Sequence, residues 1–121
     1  MKRVVFFALT VLLFSCKKES EDNFGQPKSE AIEKVSGQEL FEGKGNCIAC
    51  HQAEQKIIGP SMAEISKIYK DKNASIVSFL KEESQPIVDQ SQYEVMKTNF
   101  AITKKMSDEE LKALEDYIFA H

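Results

Sequence analysis

Alternating apolar and polar residues, the mark of a half-buried strand, are missing from this 121-residue chain. Their absence excludes sheet-based folds, including the βαβ units that position a thioredoxin-type dithiol. No apolar run approaches the ~18 residues of a membrane-spanning helix; the run from Val4 to Phe14 is eleven residues long. There is no basic excess either. Sixteen Lys and Arg against 19 Asp and Glu give a formal charge of −3, which argues against nucleic acid as a partner. Paired carboxylates and Ser/His/Asp arrangements are lacking, so nothing points to hydrolytic catalysis. Cysteine and histidine are scarce. Beyond Cys16 the candidates for metal ligation are Cys47, Cys50, His51 and His121. A structural zinc site wants four convergent ligands, usually as two spaced pairs, and no second pair exists.

What is present begins with an address. Met1-Lys2-Arg3 followed by the short apolar run reads as an export signal over residues 1–15. Leu13-Phe14-Ser15-Cys16 resembles the lipobox of bacterial lipoproteins. That resemblance implies a lipidated Cys16 at the mature N-terminus, and hence a periplasmic protein tethered to a membrane; more than one acyl chain gives firm anchoring. Residues 16–34 are polar and charged, with only Phe24, Ala31 and Ile32 apolar. Such a stretch cannot bury enough surface to fold and reads as a flexible linker. Cleavage after residue 15 removes Lys2 and Arg3 and no acidic residue, so the mature chain is more acidic and suits partners with basic patches.

The folded part is expected at residues 35–121. Ser36-Gly37-Gln38-Glu39, Ser61-Met62-Ala63-Glu64 and Ser107-Asp108-Glu109-Glu110 each fit the S-x-x-E capping box that opens a helix. Met106 and Leu111 flank the third box as a hydrophobic staple, and Leu111, Leu114, Tyr117 and Ile118 continue an apolar stripe at helical spacing. Asn73 is the expected cap of a further helix carrying Ile76, Phe79 and Leu80, with Pro86 as its boundary. These signals predict a small all-α domain of about four helices. A domain of this size is close to the lower limit for a self-sufficient core, so something besides side chains is expected to fill it.

The stretch Cys47-Ile48-Ala49-Cys50-His51 is the chemically informative one. A dithiol or a plain disulfide is open to an exported protein, but neither gives His51 a task or supplies the missing core. C-x-x-C-H is also the attachment pattern of c-type haem. Both thiols add to the vinyl groups on one edge of the porphyrin, and the next histidine is carried beneath the ring as an iron ligand. A planar apolar group bonded at two points would complete the core.

With these residues the chain resembles the class I cytochromes c in their small bacterial monohaem form, over Ser36 to His121. Gly37 four positions before Phe41, and Leu114 three positions before Tyr117, match the family's crossing of first and last helices. Gly59-Pro60 matches the Gly-Pro that follows the haem motif. The resemblance implies one covalent haem c, with Cys47 and Cys50 as attachment points and His51 as proximal ligand. It also implies that the Pro60 carbonyl accepts the second N–H of His51. A methionine from the loop before the last helix is expected as sixth ligand. In the loop 86–106, Met96 is the first choice and Met106, already used by the staple, the second; Met62 is expected in the core and His121 at a solvated terminus. The function implied is one-electron transfer between respiratory redox proteins outside the cytoplasm. The rival readings are a haem enzyme or sensor with an exchangeable sixth ligand, and a disulfide-stabilised helical module without haem.

Overall fold

The computed structural model describes residues 35–121. The expected export signal (1–15), the lipidation site Cys16 and the linker (16–34) lie outside the described residues. Six α-helices follow in order: α1 (Gly37–Glu42), α2 (Met62–Asp71), α3 (Ile76–Leu80), α4 (Tyr93–Met96), α5 (Phe100–Thr103) and α6 (Asp108–Phe119). Tight 3-10 turns occur at Cys47–Ala49, Gln90–Gln92 and Lys97–Asn99. The only β pairing among the described residues is an isolated bridge between His51 and Lys56. The all-α architecture expected from the sequence is the one found.

Three helices start where the S-x-x-E pattern puts them. The hydroxyls of Ser36, Ser61 and Ser107 accept the N–H groups of Glu39, Glu64 and Glu110, each satisfying one free donor of the first turn. At α6 the box closes reciprocally, because the Glu110 carboxylate accepts the Ser107 N–H at 2.9 Å. Met106 and Leu111, the two halves of the staple, are both buried in the same core cluster.

Two expectations are corrected. Asn73 does not cap α3: it takes a left-handed φ of 49° and belongs to the turn that ends α2, where its N–H donates to the Lys70 carbonyl. Ser75 is the cap, and its hydroxyl accepts the Ser78 N–H at 3.2 Å. Asparagine tolerates the left-handed region better than most residues, which suits it to the end of one helix rather than the start of the next. The segment 86–106, expected as a loop, is wound into the turn Gln90–Gln92, α4, the turn Lys97–Asn99 and α5. These short turns raise the helix count above the expected four.

Helix α6 organises the core by packing against α1, α2 and α3. Gly37 lies where α1 crosses it: a Cβ there would sit 2.1 Å from the Ala113 carbonyl oxygen and 2.6 Å from the Tyr117 Cβ. The rings of Phe41 and Tyr117 meet one turn further on, with centroids 5.5 Å apart. The α3 contact is polar as well as apolar. Buried Glu115 of α6 accepts the Ile76 N–H at 2.8 Å, the Ser75 hydroxyl at 3.1 Å and the Val77 N–H at 3.3 Å, all on one carboxylate oxygen. A carboxylate from α6 thereby satisfies the free donors that begin α3. Thr103, fully buried on α5, donates its hydroxyl to the Leu80 carbonyl at 2.8 Å and joins α5 to the end of α3.

Candidate functional site

The C-x-x-C-H motif is held in a compact turn. Asn46 enters it with a left-handed φ of 50°. The Cys50 and His51 N–H groups both donate to the Cys47 carbonyl, at 3.1 and 2.9 Å. This bifurcated closure packs five residues into little more than one turn and delivers His51 directly beside the cysteines. The chain then doubles back, and the Gly59 N–H donates to the Cys50 carbonyl at 2.8 Å.

The close approach at Gly59 fixes the histidine ring. A Cβ on residue 59 would lie 2.5 Å from His51 Cε1, so only glycine leaves the imidazole its place. Pro60 completes the arrangement: its carbonyl oxygen lies 2.7 Å from His51 Nδ1. A carbonyl can only accept, so Nδ1 carries a proton, and in the neutral ring this tautomer leaves the lone pair on Nε2. A carbonyl or carboxylate partner on one nitrogen is the usual support for a histidine that binds metal through the other.

His51 and Pro60 open onto a largely apolar cleft of about 730 Å³, counted with its open mouth. That size is typical of cofactor sites. Phe41, Leu114 and Ile118 line it from α1 and α6, and Ile65 and Tyr69 from α2. Phe79 of α3 lines it too, and packs against Phe100 and Tyr93 at centroid distances of 5.4 and 6.3 Å. Cys47 and Met96 complete the set of expected site residues on the wall. Cys50 is half-buried one residue before His51 and is not part of the lining. Among the methionines of the described residues, Met96 alone faces the cleft; Met62 and Met106 are buried in the core and His121 is exposed, with Nδ1 2.9 Å from the Tyr117 carbonyl.

Burial keeps two titratable groups of the wall uncharged. Burial pushes the Cys47 thiol up to about 11, the reverse of the depressed value a redox dithiol needs. The Tyr69 phenol is likewise pushed up to about 12 by burial and stays neutral. Among the described residues, Asp89 is the one charged side chain on the wall. The Lys56 ammonium bonded to it, with help from Ser91, holds its carboxyl down to about 2.

Sequence reasoning missed three side chains that shape the site. Asp89 and Lys56 pair at 2.6 Å, and Asn99 donates its amide to the Gly45 carbonyl at 3.1 Å, beside the Cys47 thiol. All are contacts across 33 or 54 residues, and no local pattern announces them. The residues present fit a covalently held haem. A thiol and a histidine with a bare Nε2 stand at one wall, a soft thioether is part of the same lining, and the surface between is apolar.

The profile of the family described as Cytochrome c matches residues 35–120, nearly all of the described chain. A 30-residue stretch is 53% identical to cytochrome c-552 of Nitrosomonas europaea. That stretch covers 25% of this chain and 29% of that protein, so the match spans less than a third of the relative's length.

Proposed function

The chain belongs to the cytochrome c family, and on that premise we propose that it is a lipid-tethered electron carrier whose haem iron is held between His51 and Met96. Family membership makes it a haem-based electron-transfer protein with covalent haem c, serving redox protein partners rather than acting as an enzyme. When bound, the haem supplies a one-electron Fe(III)/Fe(II) couple, whose potential rises with thioether ligation and burial.

The chain's own residues do the rest. Cys47 and Cys50 would hold the ring through thioether bonds. His51 would offer Nε2 to the iron, with its ring oriented by the Nδ1 bond to the Pro60 carbonyl. Met96 would supply the second protein ligand and so keep substrate from the metal, and Phe41, Tyr69, Phe79 and Leu114 would keep water from the ring. Ile48 and Val95, the chain neighbours of Cys47 and Met96, are 47% and 49% exposed and would offer apolar surface to a redox partner. The respiratory role, the location outside the cytoplasm and the anchor at Cys16 belong to the same reading. They are supported by the export signal and the lipobox resemblance; among the described residues no helix is long and apolar enough to cross a membrane.

The observation that carries the ligation is the pairing, in one cleft, of a histidine locked through Nδ1 with Met96, the single cleft-facing methionine among the described residues. Replacing each candidate methionine tests it. Met96→Ala is expected to abolish the sulfur-to-iron charge-transfer band of the ferric protein, and Met106→Ala to keep it while lowering stability. Retention of the band in Met96→Ala would remove Met96 from the iron.

A further inference from the structure

Asp89, among the described residues the one charged side chain on the cleft wall, is only 15% exposed, and its polar contacts are with Ser91 and Lys56. One carboxylate oxygen accepts the Ser91 N–H at 3.1 Å and the Ser91 hydroxyl at 2.6 Å, capping the turn Gln90–Gln92. That turn runs without a break into α4, which ends at Met96. The other oxygen accepts the Lys56 ammonium at 2.6 Å. Lys56 lies on the return loop after His51 and is bridged through the backbone to His51 itself. A single ion pair therefore connects the segment that carries His51 to the segment that carries Met96.

We propose that Lys56 and Asp89 are positioning residues: an ionic strap that holds Met96 toward the iron and sets how readily an external ligand displaces it. The proposal rests on the His51/Met96 ligation argued above. A neutral thioether depends on its surroundings to keep it in place, as ligands generally depend on the groups that support them. The strap acts on the N-terminal approach to Met96. On the far side Asn99, bonded to the Gly45 carbonyl at 3.1 Å, provides a second and uncharged tie. Loss of the strap thus loosens the approach to Met96 while the segment stays docked through Asn99.

The test is an imidazole titration of the ferric full-length holoprotein, followed by loss of the sulfur-to-iron band. Lys56→Gln and Asp89→Asn, the latter keeping a capping side chain, are each expected to raise the apparent affinity for imidazole about fivefold, the range open to a partly exposed ion pair. Added salt is expected to raise imidazole affinity in the wild type and not in the single variants, because it screens only the intact pair. Wild-type affinity in both single variants, with the band intact throughout, overturns the strap and leaves the ligation standing. A wild-type protein without the band overturns the ligation and the strap with it.

Discussion

At the scale of single residues, the site depends on what Gly59 lacks. His51 has to lie flat against the chain that returns from the haem motif, and the space for its Cε1 is the space a side chain at position 59 would take. Gly59→Ala is therefore expected to move the imidazole, weaken its bond to Pro60 and reduce the haem attached per molecule of protein. A strain of about 1–3 kcal/mol is typical of such overpacking. The check is the ratio of haem absorbance to protein in purified samples; an unchanged ratio with an unshifted ferric spectrum would show that the ring has room to spare. The Gly59-Pro60 pair was legible only through the family resemblance, which implied the Pro60 carbonyl as partner of His51; the steric role of Gly59 comes from the structure. Asp89 was not legible. Its meaning comes from Lys56, 33 residues away, and nothing in the local sequence joins the two.

At the scale of elements, the helix starts show how far local chemistry reaches. Ser36, Ser61 and Ser107 cap helices because serine and a glutamate three residues on form a self-contained device. In Lys72-Asn73-Ala74-Ser75, by contrast, two good capping residues compete, and local reasoning takes the first. The structure resolves the competition with a contact from elsewhere: Glu115 of α6 binds the Ser75 hydroxyl and the first N–H groups of α3, which fixes the start of that helix at Ile76. Since α3 supplies Phe79 to the cleft, this carboxylate acts on the site by keeping α3 in place. Glu115→Ala strands buried donors and is expected to cost about 1–3 kcal/mol, more if α3 frays. Chemical denaturation of the holoprotein measures it, and Glu115→Gln, which keeps an acceptor, is expected to recover part of the loss. Equal stability of the alanine variant and the wild type would mean that water replaces the carboxylate without penalty. The helical turns between Pro86 and Met106 escaped the sequence for a related reason: pieces of three and four residues carry too few positions for a periodic signal.

At the scale of the whole molecule, the small size of the domain is the common cause of its features. About 87 residues without strands give a thin core, and the cleft that remains between α1, α2, α3 and α6 is the volume we propose for the family's covalent haem. The all-α class and the haem motif were readable because they rest on repeated local patterns and on five consecutive residues. The place of Met96 on the cleft wall depends on how the segment 86–106 winds into short turns, which no local pattern announces. With Met96 bound as proposed, the iron would keep no open position and the protein would only carry electrons. Exposure of the reduced full-length protein to carbon monoxide at neutral pH decides this. An unchanged wild-type spectrum and ready carbon monoxide binding by Met96→Ala are expected. Carbon monoxide binding by the wild type under the same conditions would overturn the ligation and identify an exchangeable site instead.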